Sequence, residues 1–364
     1  GVELADAARQ AFVDGMSTAA MAGGVAVLIA AGVAARLLPR GGFLPAGRPA
    51  PRLEEPLSAG RDGLRLYARR YPAKGSGERA RPVLCLAGLT RNSRDFHTFA
   101  AALSADATRP RDVWTLDTRG RGYSDHDPDW RNYAVPIEML DALDLLTMQE
   151  LSDVALVGTS RGGLIAMVMA AVQPSAIGAV VLNDIGPVVE TEGLLRIMGY
   201  VGRMPTPASW EDAASILRDL NRRQFTTISD KDWPEIARQI FNEKGGRPVP
   251  GYDPKGARSF SALEGPMPAL WPQFGALARV PVMVLRGENS DLLSAATVTE
   301  MERRHPAMTS LVVPGEGHAP WLRDTMTIGA VRDFLVRADA HSAHAGGAVG
   351  AHTAAPTQTS PASA

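Results

Sequence analysis

Residues 154–172 read VALVGTSRGGLIAMVMAAV and carry the clearest indication of the fold. A short apolar run, typical of a buried strand, passes through the pentapeptide GTSRG directly into an apolar helical pattern. In such a GxSxG turn the glycines permit a tight bend, which leaves the serine hydroxyl exposed at the end of the strand. We therefore predict that Ser160 is a nucleophile, with a serine that only caps the helix as the alternative.

Short β-branched runs alternate with amphipathic segments on both sides of this stretch. Such alternation is typical of a mostly parallel sheet with helices on both faces. Helical spacing occurs at 95–106, 136–150 and 162–174, and each segment ends in Pro or a polar turn. The sequence therefore predicts a doubly wound α/β core with strands at 64–71, 82–88, 112–117, 154–158, 179–184, 281–287 and 310–315.

The alternation of strands and helices breaks between residues 188 and 278. Within this segment, 210–225 and 233–241 have helical spacing and are separated by Pro and Gly. We predict that 188–278 is a helical cap inserted into the core. The core itself then comprises 56–187 and 279–340.

A serine hydroxyl is a weak nucleophile until a base removes its proton, so Ser160 requires a histidine that is held by an acid. His318 lies in PGEGHAP just past a late strand, and Asp291 lies in RGENSDLLS just past the strand before it. We predict His318 as the base and Asp291 as its acid, in the chain order Ser, Asp, His. Glu288, close to Asp291, and Asp184, which follows an earlier strand, remain open as the acid, with Asp184 the main rival.

Attack on a carbonyl creates an oxyanion that preorganised donors must stabilise. The backbone N–H of Arg161, at the start of the helix, is one expected donor. The N–H of Leu89 is the second, because Gly88 permits close approach of the loop after the strand at 82–88. The polar run DTRGRGYSD at 117–125 is interpreted as a structural turn near this site.

The composition excludes several classes of function. Lys and Arg number 38 and Asp and Glu number 39 among 364 residues, so the net charge of -1 gives no electrostatic footprint for nucleic acid. The single cysteine, Cys85, excludes an intramolecular disulfide. No His, Cys or carboxylate cluster has metal-ligand spacing, and we expect neither a metal nor a cofactor. The oligomeric state cannot be derived from the sequence.

Both ends of the chain differ from its middle. Residues 16–35 carry no charge and are long enough to span a bilayer as a helix, and the arginines that follow place the rest in the cytoplasm. The alternatives are a secretory signal and a buried Gly/Ala-rich helix. We therefore expect 1–40 to be an apolar segment that can tether the protein to the inner membrane, and 41–55 to be a linker. The Ala-, Gly-, Ser-, Thr- and Pro-rich stretch 341–364 is expected to be a disordered tail.

The chain from about residue 56 to 337 resembles the α/β-hydrolase superfamily, in particular a bacterial branch similar to serine esterases. The resemblance rests on six blocks in the same order: LAGLTRNSRDF, DTRGRGYSD, GTSRGGL, LNDIGP, RGENSDLL and GEGHAP. It implies a serine hydrolase without a cofactor. This chain has Ala87-Gly88 where many relatives have His-Gly, which leaves the backbone donor in place. Residues 1–40 separately resemble the last membrane helix of efflux permeases of the major facilitator superfamily.

The function expected from these residues is hydrolysis of small carboxylic esters through an acyl-serine intermediate. A carbon–carbon bond hydrolase of ring-cleavage diketo acids, a lactonase and an acyltransferase remain open on this fold, and a non-catalytic binding protein is a further alternative. A diketo acid would need cations at the site, for which Arg91 and Arg161 are candidates. Trp210 and Trp271 are candidate lining residues of an apolar substrate pocket, although aromatic residues at helical spacing more often serve packing.

Overall fold

An eight-stranded sheet forms the centre of the protein. This computed structural model describes residues 56–57, 60–75, 80–261 and 267–347. In chain order the strands are β1 Pro56–Leu57, β2 Leu66–Tyr71, β3 Val83–Leu86, β4 Val113–Asp117, β5 Val154–Thr159, β6 Ile177–Asn183, β7 Asn242–Lys244, β8 Arg247–Val249, β9 Val282–Gly287 and β10 Met308–Val313. The predicted strands are confirmed, each within a few residues of its expected bounds.

The sheet has the order β1-β2-β4-β3-β5-β6-β9-β10. The strands β4, β3, β5, β6, β9 and β10 are mutually parallel, while β2 is antiparallel to β1 and to β4. The strand that precedes Ser160, β5, therefore lies in the middle of the sheet between β3 and β6. Loops at the carboxyl ends of these three parallel strands meet at one edge, which is where ligands bind in open α/β sheets.

Helices cover both faces of the sheet, and further helices lie in the segment between β6 and β9. They are α1 His97–Ser104, α2 Val135–Met148, α3 Arg161–Val172, α4 Thr191–Tyr200, α5 Trp210–Asn221, α6 Trp233–Ile240, α7 Arg258–Ser261, α8 Trp271–Gly275, α9 Ala295–Arg304 and α10 Thr325–Gly347. Alternate residues of one strand serve opposite faces: Leu84 packs in the cluster that contains α2 and α3, and Val83 in the cluster that contains α1 and α10. The fold is therefore a mostly parallel α/β sheet with helices on both sides, as predicted.

The segment between β6 and β9 contains the helices α4 to α8 and has an apolar cluster of its own. This cluster includes Leu217, Phe225, Trp233 and Ile236, and Trp321 joins it from the core. Arg94 from the loop after β3 donates hydrogen bonds to the carbonyls of Gln239 and Phe241 and ties the segment to the core.

A short hairpin of β7 and β8 within this segment is absent from the sequence prediction. The sequence does contain a signal for it, because Gly245 and Gly246 form a Gly-Gly pair, which is typical of two-residue hairpin turns. In the structure both glycines have positive φ angles, of 58° and 76°.

The predictions about the chain ends meet different outcomes. Helix α10 continues to Gly347, so 341–347 are helical rather than part of the expected tail. The rest of that tail, the linker at 41–55 and the candidate membrane segment at 16–35 lie outside the described residues. Within the described parts of the chain, no helix is both long and apolar enough to span a bilayer.

Candidate active site

Ser160 stands at the junction of β5 and α3 in a conformation that few residues adopt. Its φ is 51° and its ψ is -115°. A Cβ on Gly158 would lie 2.5 Å from the backbone nitrogen of Gly163, and one on Gly162 would lie 2.0 Å from the carbonyl oxygen of Leu86. Only glycine fits at both positions, so the glycines of the pentapeptide let α3 begin directly against the strands and leave the serine at the turn.

His318 reaches Ser160 from the loop after β10. Its Nε2 lies 2.8 Å from Ser160 Oγ, although the two residues are 158 positions apart. The Asn183 side chain donates to the carbonyl oxygen of Pro320 at 2.8 Å and to Thr159 Oγ1 at 3.0 Å. These bonds join the loop of His318 to the ends of β5 and β6, so the imidazole is held beside the serine.

Asp184, directly after β6, lies on the other side of the imidazole. Its Oδ2 is 2.8 Å from His318 Nδ1, and its side chain is fully buried. The same carboxylate accepts the Gly287 N–H at 2.8 Å and the Ser290 hydroxyl at 2.6 Å. With its proton on Nδ1, His318 donates to Asp184 and accepts from Ser160, which is the arrangement that a general base requires.

Asp291, the acid expected at His318, lies elsewhere, which corrects that assignment in favour of the rival carboxylate, Asp184. Its Oδ1 accepts a hydrogen bond from Arg196 Nη2 at 2.8 Å in a two-bond ion pair. Burial raises the pKa of Asp291, but its bonds to Arg196 outweigh this and hold the pKa below its ordinary value. Glu288 is also engaged away from His318, where it accepts the Gly315 N–H at 2.7 Å.

The two residues expected to provide oxyanion donors lie close to Ser160. Arg161 follows it as the first residue of α3. A Cβ built on Gly88, the residue before Leu89, would be 3.6 Å from Ser160 Cβ, so the loop after β3 passes directly beside the serine. The structure thus places the loop that contains Leu89 and the start of α3 beside Ser160.

The side chains of the two candidate cationic residues already have partners. Arg91 pairs with Asp95 and stacks over Trp321, with its guanidinium carbon 3.4 Å from the ring centroid. Arg161 Nε donates to Glu138 Oε2 at 2.6 Å. Each guanidinium therefore already binds a carboxylate of the protein.

The two candidate tryptophans have packing contacts. Trp210 packs against the apolar cluster of the inserted segment, with Arg238 stacked 4.5 Å above its ring. Trp271 meets Phe274 edge to face at 6.0 Å, and Arg304 lies 4.0 Å above it. These contacts favour a packing role for both tryptophans over a role in lining a substrate pocket.

The block at 117–125 is a structural turn, as interpreted from the sequence. Asp117 accepts backbone N–H groups of Ser93 and Tyr123, at 2.6 and 2.9 Å. Arg119 forms buried ion pairs with Asp127 and Asp141.

The sequence analysis missed two residues with contacts at the site. Ser290 donates to Asp184, and Arg121 donates to the Leu89 carbonyl; each acts through a hydrogen bond that no local pattern reveals. In the described part of the chain, no three His, Cys, Asp or Glu residues lie close enough to hold a metal ion.

Comparison with known proteins agrees with this architecture. The sequence profile of the alpha/beta hydrolase fold matches residues 81–323. A 3-hydroxybutyrate-oligomer hydrolase from Cupriavidus necator is 33% identical over 287 residues, which cover 75% of this chain and 94% of that protein. A 2-(acetamidomethylene)succinate hydrolase from Mesorhizobium japonicum is 29% identical over 266 residues, or 72% of this chain and 89% of that protein.

Among solved structures, an alpha/beta hydrolase from Novosphingobium aromaticivorans is similar with a TM-score of 0.71 and 38% sequence identity. The similarity covers 79% of this chain and 100% of that one. These comparisons give no support to the resemblance of residues 1–40 to a permease helix. The profile match contains Ser160, Asp184 and His318 and spans more than half of the sequence, and the chain therefore belongs to the α/β hydrolase fold family.

Proposed function

We propose that this protein hydrolyses carboxylic esters through an acyl intermediate on Ser160. The observation that carries the proposal is the continuous series of contacts from Ser160 Oγ to His318 and from His318 to Asp184, each of 2.8 Å. This is the geometry in which a histidine removes a serine proton while a buried carboxylate stabilises the resulting imidazolium.

The reaction proceeds in two halves. Ser160 Oγ attacks the ester carbonyl carbon as its proton passes to His318 Nε2, and the N–H groups of Leu89 and Arg161 stabilise the oxyanion. The tetrahedral intermediate collapses, His318 gives the proton to the leaving alcohol, and the acyl group stays on Ser160. A water molecule then attacks the acyl carbon while His318 takes its proton, and collapse releases the acid and returns that proton to Ser160.

We further propose that the ester is an oligomer of a short 3-hydroxy acid. The support is the relative that acts on 3-hydroxybutyrate oligomers, which is matched over almost its whole length. An oligoester of this kind presents the same ester bond at each step, so cleavage of that bond needs no group beyond the serine, the histidine, the acid and the oxyanion donors. Its single carboxylate is at the end of the oligomer, where it can remain in water.

A second candidate is hydrolysis of an unsaturated dicarboxylic acid, supported by the relative that acts on 2-(acetamidomethylene)succinate. Such a substrate carries two carboxylates that require cationic partners. Arg91 and Arg161 are bound to Asp95 and Glu138, and a substrate carboxylate would have to displace these partners. The ester is therefore the preferred substrate class.

The experiment that separates these candidates compares substrates on one purified protein. The panel contains a 3-hydroxybutyrate trimer, 4-nitrophenyl esters of increasing acyl length, 2-(acetamidomethylene)succinate and a ring-cleavage diketo acid. Ser160→Ala provides the background rate for each. We expect kcat/KM for the trimer and for short 4-nitrophenyl esters to exceed that for either acid by about 100-fold or more. Turnover of only the dicarboxylate or only the diketo acid would overturn the proposal.

A further inference from the structure

A buried carboxylate joins the two residues that are proposed to supply the oxyanion donors. Glu138 Oε1 accepts from Arg121 Nη1 at 2.7 Å, and Glu138 Oε2 accepts from Arg161 Nε at 2.6 Å. At its other end, Arg121 Nε donates to the carbonyl oxygen of Leu89 at 2.9 Å. An unbroken path of hydrogen bonds thus runs from Leu89 through one carboxylate to Arg161.

These charged groups are almost completely removed from water. The side chain of Glu138 is fully buried, and those of Arg121 and Arg161 are 5% and 15% exposed. Burial opposes ionisation of Glu138, but the charges of Arg121 and Arg161 outweigh it and hold its pKa below the ordinary value. The carboxylate is therefore charged at neutral pH and binds both cations.

Further contacts limit where the two guanidinium groups can lie. Arg161 Nη2 donates to the carbonyl oxygen of Tyr133 at 2.9 Å, and Arg121 Nη1 donates to that of Arg119 at 2.7 Å. The carbon of the Arg121 guanidinium lies 5.5 Å from the centre of the Tyr133 ring. With its partners fixed by α2 and by the turn after β4, the network holds the loop after β3 in a set position.

Such a network is weak evidence for a role in stability, because buried ion pairs are often replaceable by apolar groups without loss. The reaction rate, however, depends strongly on the position of the oxyanion donors. An oxyanion donor must lie about 2.7–3.1 Å from the developing charge, and a shift of about 1 Å can cost about 100-fold in rate. A group that fixes both donors therefore acts mainly on the transition state.

We propose that Glu138 is a positioning residue that holds the backbone N–H donors of Leu89 and Arg161 where they can both donate to the oxyanion. Glu138 acts through Arg121 and Arg161 and does not touch the substrate. The inference rests on the proposed ester hydrolysis at Ser160. Its specific consequence is that loss of the Glu138 charge lowers kcat while ester binding in the ground state is retained.

Asp141 provides a matched control on the same helix. It lies one turn after Glu138 on α2, is 1% exposed, and binds Arg119 with two hydrogen bonds of 2.7 and 2.5 Å. Asp141→Asn therefore also neutralises a buried carboxylate that pairs with an arginine. That arginine, Arg119, lies in the structural turn after β4. The comparison separates a general loss of stability from a specific effect at the donors.

The test measures kcat and KM for a 4-nitrophenyl ester, together with inhibition by a trifluoromethyl ketone and by the corresponding methyl ketone. A trifluoromethyl ketone adds to the serine and places an oxyanion at the donors, while the methyl ketone reports ground-state binding. For Glu138→Gln we expect kcat to fall about 10- to 100-fold with KM within about 3-fold. The inhibition constant of the trifluoromethyl ketone rises in proportion to the loss in kcat/KM, and that of the methyl ketone does not.

Asp141→Asn, measured at a temperature where both variants are folded by circular dichroism, is expected to keep kcat and both inhibition constants within about 3-fold. A folded Glu138→Gln with unchanged kcat overturns the inference, and so does an equal loss in Asp141→Asn. If Glu138→Gln does not fold, Arg121→Lys decides with the same readouts, because it keeps a cation beside Glu138 and removes the planar Nε donor to Leu89. Retention of kcat in that variant overturns the inference.

Ser160→Ala is measured in parallel to keep the two proposals apart. Loss of trifluoromethyl ketone binding in that variant supports ester hydrolysis at Ser160 whatever Glu138 does. If Ser160→Ala retains both turnover and trifluoromethyl ketone binding, the proposed function itself fails, and the inference about Glu138 fails with it.

Discussion

The carboxylate of Asp184 lies 2.8 Å from Nδ1 of His318, across 134 positions of sequence. The sheet order explains this contact. Strand β6, which ends just before Asp184, is the direct neighbour of β5, which ends just before Ser160. His318 comes from the loop after β10 at the edge of the sheet and extends past β9 to reach both residues.

This relationship predicts that Asp184→Asn inactivates the enzyme and that Asp291→Asn does not. An amide at position 184 no longer stabilises the imidazolium and favours the wrong tautomer of His318, for which a loss of about 10³- to 10⁴-fold in kcat is expected. Asp291→Asn weakens only the ion pair with Arg196 and should keep activity within about 10-fold. Steady-state kinetics on a 4-nitrophenyl ester measures both variants, and the reverse order of losses would restore Asp291 as the acid.

The surroundings of two helical glycines, one beside Ser160 and one in α4, predict opposite effects of substitution by alanine. Gly162→Ala would place a Cβ 2.0 Å from the carbonyl oxygen of Leu86, and we expect it to lower the free energy of unfolding by about 3 kcal/mol or more and to abolish activity. Gly199→Ala, in α4, meets no atom within 4 Å and should raise that free energy by about 0.5–1 kcal/mol through helix propensity. Urea titration of each variant measures the change. A stable, active Gly162→Ala would contradict the close packing of α3 on β3.

Glu316 predicts a pH-dependent term in stability. The residue is 6% exposed, and burial raises its pKa from 4.5 to about 7, even though the backbone N–H of Trp321 donates to it at 2.8 Å. Between about pH 4.5 and 7 the folded state holds a proton that the unfolded state has released, so the free energy of unfolding falls as the pH rises through this window.

Glu316→Gln stays neutral and still accepts the Trp321 N–H. The free energy of unfolding of this variant, minus that of the wild type, should therefore increase by about 2 kcal/mol between pH 5 and pH 8. Urea titrations of both proteins at several pH values measure this difference. A difference that stays flat over the range would show that Glu316 has no raised pKa in the folded protein.

Local sequence patterns predicted the parts of the site that depend on neighbouring residues. The apolar run before GTSRG located β5 and the turn at Ser160, and the run before GEGHAP located β10 and the loop of His318. The prediction placed Asp291 beside His318, whereas the structure places Asp184 there. The sequence could not separate the two because Asp184 and Asp291 both follow strands. Only the order of the strands in the sheet decides between them, and no short pattern encodes that order.

The carboxylate between the oxyanion donors could not be predicted for a related reason. Glu138 occupies a helix whose apolar spacing is regular, and its partners Arg121 and Arg161 lie 17 and 23 positions away. A glutamate on an amphipathic helix is normally interpreted as part of the solvated face. Its burial follows from the packing of α2 between the turn after β4 and the start of α3, which is a property of the assembled fold.

Detection of an acyl group on Ser160 is the direct test of the proposed acyl intermediate. The protein is mixed with excess 4-nitrophenyl butyrate, quenched in acid within the first turnovers, and digested for mass spectrometry, with wild type, Asp184→Asn and Ser160→Ala in parallel. We predict a butyryl group on the peptide that contains Ser160 in the wild type, and none in Ser160→Ala, whose turnover falls by at least about 10⁴-fold. Turnover by Ser160→Ala near the wild-type rate, or a butyryl group found only on another residue, would rule out Ser160 as the nucleophile.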